Sequence, residues 1–295
     1  MSTLSHSGTG DVPNKAGIHC LVWSATTTAD ILAVIPKAIE MGYDGIEIPV
    51  LAPGLLDIPK VRAALDDVGL LCTTSTALPP GIALIDEATT SDAVEFLTGV
   101  IRDTAELGAP LVCGPMAAPI GEQRGRGSTP EEWASCVTGL REAGKVATDL
   151  GIDLAFEPLN RFETFVVNTT ADGIRLCEEV NEPSVGLLLD TFHMNIEEQS
   201  LPAAIRAAAP HLKHFHCSEN DRGTVGSGHV PWADVFGALK DIDYRGWLTV
   251  ESFGGSVPEI AAATSIWRPL ASSQDALARD SLRFTKQAIH GVSAP

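Results

Sequence analysis

Three carboxylates and one imidazole stand at or near the ends of apolar runs in the second half of this sequence: Glu157 closes DLAFE, Asp190 closes VGLLLD, His216 lies within KHFHCS, and Glu251 closes WLTVE. The intervals between them are 33, 26 and 35 residues, each about one strand plus one helix. Any one of them alone reads as a solvated loop residue or a salt-bridged rim group. Four at such intervals read as a site. Carboxylates brought together raise one another's pKa unless a cation neutralises them, and with one imidazole nitrogen they make a hard, oxygen-rich donor set. The cofactor this implies is one divalent metal ion, Mn2+ first, with Mg2+ or Co2+ also suited and Zn2+ tolerated. A six-coordinate ion would keep two positions for water or substrate oxygens. His214 shares the strand face of His216, so periodicity does not separate the two. His216 is taken because it is nearer the C-terminal tip.

The elements that must position these residues follow from the alternation of the chain. Short apolar runs of strand length alternate with amphipathic segments eight times: Ile18 to Trp23, Gly45 to Ile48, Leu70 to Ser75, Pro110 to Gly114, Asp153 to Glu157, Val185 to Asp190, Lys213 to Ser218 and Trp247 to Glu251. Most are near-continuous apolar runs, as buried parallel strands require. Between them, Ile31, Ile35 and Ile39 share one helix face, and Thr129, Pro130 and Glu132 mark a helix start with a capping box. Ser272 with Asp275 offers a second capping pair before a last helix over about 274–290. Eight strand-then-helix units predict an α/β fold, a (β/α)8 TIM barrel in a single domain over residues 17–295, with a disordered tail over 1–16. In such a barrel the C-terminal strand ends converge on one mouth, which is where Glu157, Asp190, His216 and Glu251 would meet. The long loops over 115–129 and 252–272 follow strands and belong to the same face.

Composition narrows the partners. The 295 residues carry a formal net charge of -18, which disfavours nucleic acid and anionic membrane and suits a small neutral substrate. No apolar run is long enough for a transmembrane helix, and the polar N-terminus lacks a signal-peptide pattern, so a cytoplasmic protein is expected. The six cysteines show no CxxC spacing and read as reduced, buried thiols. The turn after Trp23 has no GxGxxG pattern, and the glycine-rich GTVGSGHV lacks the Walker lysine. No organic cofactor is expected; GTVGSGHV reads as an active-site loop with turn glycines.

Four segments resemble a known family: FEPLNRFE (156–163), LLLDTFHMNIEE (187–198), HFHCSENDRGTVGSGHVPW (214–232) and TVESF (249–253). They are similar to the ketose 3-epimerases (D-tagatose, D-psicose (D-allulose) and L-ribulose 3-epimerases) of the sugar isomerase/epimerase superfamily, whose members have a xylose-isomerase-like barrel. The resemblance implies that Glu157, Asp190, His216 and Glu251 bind the metal and that Glu157 and Glu251 also move the proton. It implies further that Glu163, His193 and Arg222 hold the oxygens of a ketose, with Phe253 and Trp23 as apolar positions facing the sugar. Without it, Glu163 and His193 read as loop residues and Arg222 as a surface cation, as His211 and His229 read as surface histidines. The implied reaction is metal-dependent epimerisation of a free ketose at C3 through an enediolate, such as D-fructose/D-psicose, D-tagatose/D-sorbose or L-ribulose/L-xylulose, by a homo-oligomer (dimer or tetramer). An aldose-ketose isomerase, an inosose-type dehydratase and a non-catalytic sugar-binding barrel are the alternatives on the same donor set. A DNA-repair endonuclease of the superfamily would need more histidine ligands and a basic face. TTSTALPPG (73–81) and MAAPIGEQRGRG (116–127) match no subgroup pattern, and they bear on the far end of the sugar.

Overall fold

Near-continuous apolar runs have to be covered on both faces, and a ring of strands inside a ring of helices does this with no sheet edge left open. The computed structural model describes residues 14–254 and 258–289. Its strands are β1 (Lys15–His19), β2 (Gly45–Pro49), β3 (Leu71–Ser75), β4 (Leu111–Gly114), β5 (Asp153–Phe156), β6 (Val185–Asp190), β7 (Leu212–Cys217) and β8 (Trp247–Val250). They form a closed barrel in sequence order, and β8 pairs in parallel with β1 to complete it. The helices outside are α1 (Thr28–Met41), α2 (Ile58–Val68), α3 (Thr90–Leu107), α4 (Pro130–Leu150), α5 (Thr170–Val180), α6 (Thr191–Glu197), α7 (Leu201–Ala207), α8 (Trp232–Asp241), α9 (Pro258–Thr264) and α10 (Gln274–Ile289). None of the described helices is long and apolar enough to cross a membrane, and all six cysteines are free and buried.

β1 departs from the sequence expectation. The ladder to β8 and β2 runs from Lys15 to His19, and Cys20–Trp23 is a 3-10 turn. The His19 ring accepts the N–H of Leu21 through Nδ1, which diverts the chain from pairing. Burial of Ile18, Cys20 and Val22 imitates strand alternation although only the first is in the strand. Lys15 and Ala16 are therefore strand residues rather than part of a tail over 1–16. Asn14 is tied to the barrel by its side chain, which donates to Tyr244 O and Gly246 O, and residues 1–13 lie outside the described residues.

Helix capping is the local signal that sequence reads best. Glu132 N donates to Thr129 Oγ1 at 3.2 Å and Thr129 N to Glu132 Oε2 at 2.7 Å, the expected box at the start of α4. At α10 the cap is one residue later than expected: Ala276 N donates to Ser273 Oγ, and Asp275 is turned away to other partners. Ile39 and Leu150, at the C-terminal turns of their helices, are exposed.

Strand alternation decides what enters the barrel. Leu111, Cys113, Ala155, Leu188 and Trp247 form a small cluster separate from the main core. Trp247 fills the space beside β1 and β2, where a Cβ on Gly45 would lie 2.5 Å from its ring. Two residues further along β8 on the same face stands Thr249, and two more bring Glu251. The interior thus passes from apolar to ionisable toward the C-terminal mouth.

Candidate active site

Each of the four candidate residues is carried to the mouth by the end of its strand. Glu157 follows β5 and extends the ladder by one bond, its N–H donating to Gly114 O. Glu251 does the same after β8, donating to Cys217 O. Asp190 ends β6 and at once caps α6: its Oδ1 accepts Phe192 N at 2.6 Å and His193 N at 3.3 Å. This leaves Oδ2 to accept from Ser218 Oγ and Arg222 Nη1. His216 Nδ1 lies 3.4 Å from Glu251 Oε1 and 3.6 Å from Asp190 Oδ2. One ligand atom from each of Glu157, Asp190, His216 and Glu251 falls within 4.8 Å of all the others, and all four residues are buried.

Two observations fit this set to a divalent cation. Among the described residues, Glu157 Oε1 and His216 Nδ1 are buried polar atoms without a hydrogen-bond partner, and both belong to the cluster. Orphaned buried polar atoms are expensive unless something occupies the space between them. The charges also sort themselves. Burial first, then the neighbouring Glu251, pushes the Glu157 carboxyl well above the usual carboxylate range. Burial would raise Asp190 and Glu251 too, but the Arg222 guanidinium, followed by His216, outweighs it and holds both below their usual values.

Three of the four, Glu157, His216 and Glu251, border a cavity of about 290 Å3, with Glu163, His193 and Arg222 also in its walls. The sequence candidates for holding a substrate are thus at the cavity. Asn160 Nδ2 donates to Glu163 Oε1, and Asn160 N donates to His193 Nδ1 at 3.1 Å. A backbone N–H can only donate, so Nδ1 accepts; Nε2 lies 3.1 Å from Arg222 Nη2 and 3.6 Å from Glu157 Oε1. Burial, then Arg222, lowers the His193 pKa and keeps the ring neutral. Arg222 is no surface cation: it is buried between Phe192 and Phe253, with its guanidinium 4.0 and 5.1 Å from their ring centres. It donates to Asp190, Ser218 and Glu251.

Phe253 lines the cavity as expected, and Trp23 does not. The 3-10 turn after β1 swings the indole outward, where Nε1 donates to Asp275 Oδ1 at 2.7 Å and Lys37 lies over the ring; Leu21 takes the cavity position. His229 is exposed and His211 half-buried, and neither borders the cavity. From the 73–81 and 116–127 segments, Ser75, Thr76, Ala77 and Ile120 reach the cavity wall.

Comparison with known proteins decides the family. The profile described as xylose isomerase-like TIM barrel matches residues 35–288. A probable ketose 3-epimerase of Synechocystis sp. is 34% identical over 275 residues, covering 92% of this chain and 96% of that protein. The chain belongs to the ketose 3-epimerases. An L-ribulose 3-epimerase of Methylomonas sp. is 35% identical over 276 residues, covering 92% of this chain and 96% of the relative. The crystal structure of a D-allulose 3-epimerase from Methylomonas sp. in complex with D-allulose superposes with a TM-score of 0.89 at 34% identity, covering 96% of this chain and 100% of that one.

Within this ketose 3-epimerase fold, the chain places one buried group that the sequence did not single out. Glu47, in the middle of β2 and fully buried, accepts His216 Nε2 at 2.8 Å on Oε1, and His214 Nε2 at 2.7 Å and Thr73 Oγ1 at 2.8 Å on Oε2. Burial would raise its carboxyl, but His216 and then His214 hold it well below the usual range. The two histidines differ in their geometry around this carboxylate. Both give Nε2 to Glu47, and only His216 turns its other nitrogen to the three carboxylates. The available signal was an acidic residue inside GIEIP, a strand buried along its whole length, where a charge demands a partner.

Proposed function

We propose that this protein epimerises free ketoses at C3, with Glu157 and Glu251 as the two proton-transfer groups and with Glu157, Asp190, His216 and Glu251 holding one divalent ion, Mn2+ by preference. The observation that carries this is that two carboxylates from strands three apart in the barrel border one cavity, in a four-residue cluster with orphaned donor atoms. The relatives named for ketose 3-epimerisation support the reaction class.

The hydrogen on C3 of a ketose is acidic because its removal beside the C2 carbonyl gives an enediolate. When bound, the ion would supply a Lewis acid that stabilises the charge developing on the substrate's oxygens. Inversion at C3 requires a base on one face and an acid on the other, which two carboxylates provide and one does not. One glutamate removes the C3 proton and the other returns a proton to the opposite face, with the roles exchanged in the reverse direction. His193, at the cavity wall with Nε2 beside Arg222 Nη2, helps hold a substrate oxygen. Arg222, fixed between two aromatic rings, contributes positive potential beside Glu251. Glu163 receives a substrate hydroxyl with the carboxylate oxygen that Asn160 leaves free.

The test is turnover of D-fructose, D-tagatose and L-ribulose by Glu157→Gln and Glu251→Gln with Mn2+ present, read by product chromatography and by deuterium incorporation at C3 in heavy water. Loss of both readouts in each variant is expected, and near-native turnover in either one overturns the two-base scheme. An aldose product would identify an isomerase, loss of water a dehydratase, and sugar binding without C3 exchange a non-catalytic barrel. The reading carries with it a cytoplasmic homo-oligomer, which light scattering of the purified protein checks.

A further inference from the structure

The loop between β7 and α8 contains a buried carboxylate that the proposed reaction does not use. Glu219 is fully buried, and among the described residues no lysine or arginine is paired with it. Its two oxygens instead collect donors from across the loop: Oε1 accepts Asn220 N and Val230 N, both at 3.1 Å, while Oε2 accepts Gly226 N at 2.9 Å and Trp232 Nε1 at 2.8 Å. The loop closes tightly on it. A Cβ on Gly228 would lie 2.6 Å from Glu219 Oε1 and 2.1 Å from Asn220 Oδ1, and Gly226 has φ +86 with Phe284 against it. These contacts give the glycine-rich GTVGSG a physical role: its backbone wraps a carboxylate, not a phosphate.

The same loop carries Arg222. Its backbone N–H donates to Glu219 O at 2.9 Å, its φ is +61, and Ser252 Oγ donates to its carbonyl at 2.5 Å. A left-handed backbone at a non-glycine residue persists only where its surroundings over-determine it. We infer that Glu219 is a positioning residue for Arg222, holding the β7–α8 loop so that the guanidinium is delivered between Phe192 and Phe253 onto Asp190 and Glu251. Glutamine at 219 keeps the shape and one acceptor oxygen, but its amide nitrogen then faces two N–H donors that it cannot accept. A buried donor left unmade disfavours the closed loop, and a shift of about 1 Å in a positioned group lowers turnover by roughly a hundredfold.

The inference rests on the proposed site, so its test includes a readout independent of turnover. In the Mn2+-free full-length protein labelled with 15N, the buried Arg222 guanidinium should give slowly exchanging Nη–H signals, assigned by their loss in Arg222→Lys. In Glu219→Gln they should broaden or vanish while the protein still unfolds cooperatively. Persistence of the signals unshifted overturns the inference whether or not the protein proves to be an epimerase. With Mn2+ and a ketose that the wild type turns over, Glu219→Gln should lower kcat at least tenfold, and the same substitution should change kcat less than threefold in the Arg222→Lys background. Equal losses in both backgrounds would show that Glu219 acts independently of Arg222 and overturn the assignment. Should Glu219→Gln fail to fold, Trp232→Phe removes one of the four donors; its loss must then also be non-additive with Arg222→Lys, and an additive loss again overturns the inference.

Discussion

Strands β5 to β8 deliver Glu157, Asp190, His216 and Glu251 to the mouth, whereas β1 to β4 end in His19, Pro49, Ser75 and Gly114. Those four last residues also line the cavity, so the two halves of the barrel face one another across the space a substrate would fill. One half is ionisable and crowded with charge. The other offers one imidazole, already donating from Nε2 to Ser75 Oγ at 2.8 Å, and otherwise neutral wall. Ser75, Thr76, Ala77 and Ile120 continue this wall. The first half contributes its charge from below the mouth instead, through Glu47. The candidate donors and their support are thus divided between half-barrels: the second half presents the donor atoms, and the first fixes the orientation of one of them.

The largest effects should come from the second half. Glu157→Gln and Glu251→Gln are each expected to lower kcat by about 10²–10⁴-fold, the range for removing a positioned acid or base. His19→Asn, which keeps a polar group at the neutral wall, should change kcat less than about tenfold. Steady-state kinetics on one ketose checks both. A His19 effect as large as that of Glu157 would break the division between halves.

Glu47→Gln sharpens it. The amide cannot accept from both His214 and His216, so His216 loses the bond that fixes its Nδ1 toward the carboxylates. Replacing a group that orients a ligating histidine typically weakens metal binding by about 10–100-fold. Titration calorimetry with Mn2+ should record that loss while the affinity for a ketose at saturating Mn2+ changes little. Unchanged Mn2+ affinity would reduce Glu47 to a core residue.

The four candidate donors were legible because each stands at the C-terminal end of an apolar run, and the barrel order then forces them to one rim. Glu47 was not legible for the opposite reason. It sits mid-strand, and its partner His216 is 169 residues away in sequence, so only barrel closure brings them together. The direct passage from β6 into α6 was hidden for another reason: Asp190 both ends the strand and caps the helix, and no loop residues separate the two elements. Trp23 was misplaced because alternating burial at Ile18, Cys20 and Val22 looks like a continuing strand when the chain has already turned.

Removing the metal should expose the charge imbalance of the second half. Chelation is expected to lower Tm by about 5–10 °C, since an ion at 100 times its Kd stabilises the folded state by about 2.7 kcal/mol, and readdition of Mn2+ should restore it. An unchanged Tm excludes a tightly held ion. In the chelated protein the Glu157 carboxyl is raised well above its ordinary 4.5, so the folded state binds its proton more tightly than the unfolded chain. Stability therefore falls as pH rises from that ordinary value through the raised one. His216 acts in the same sense. Burial would lower its pKa, but Glu47 and then Glu251 raise it well above its ordinary 6.5, so its contribution is complete below that value and lost above. Asp190 and Glu251 are lowered and act oppositely, losing their contribution only as pH falls through the acid range. The chelated protein should thus melt lower at about pH 8 than at about pH 6, and Glu157→Gln should flatten the difference. A chelated wild type equally stable at both would contradict the buried carboxyl assignment.

The smallest expected effect tests the first half where sequence misled. Trp23 donates to Asp275 from a half-buried position and stands away from the cavity, so Trp23→Phe removes one hydrogen bond between the turn after β1 and α10. A net contribution of about 0.5–1.5 kcal/mol for such a bond predicts a small drop in Tm with kcat and KM unchanged. Phe253→Ala, in contrast, opens the cavity wall and removes one of the two rings that enclose Arg222, so its effect should appear in kcat/KM. Measuring both variants on the same ketose separates the two aromatic positions. A change in KM for Trp23→Phe comparable to that for Phe253→Ala would return the indole to the substrate and require the turn at Cys20–Trp23 to rearrange when the sugar binds.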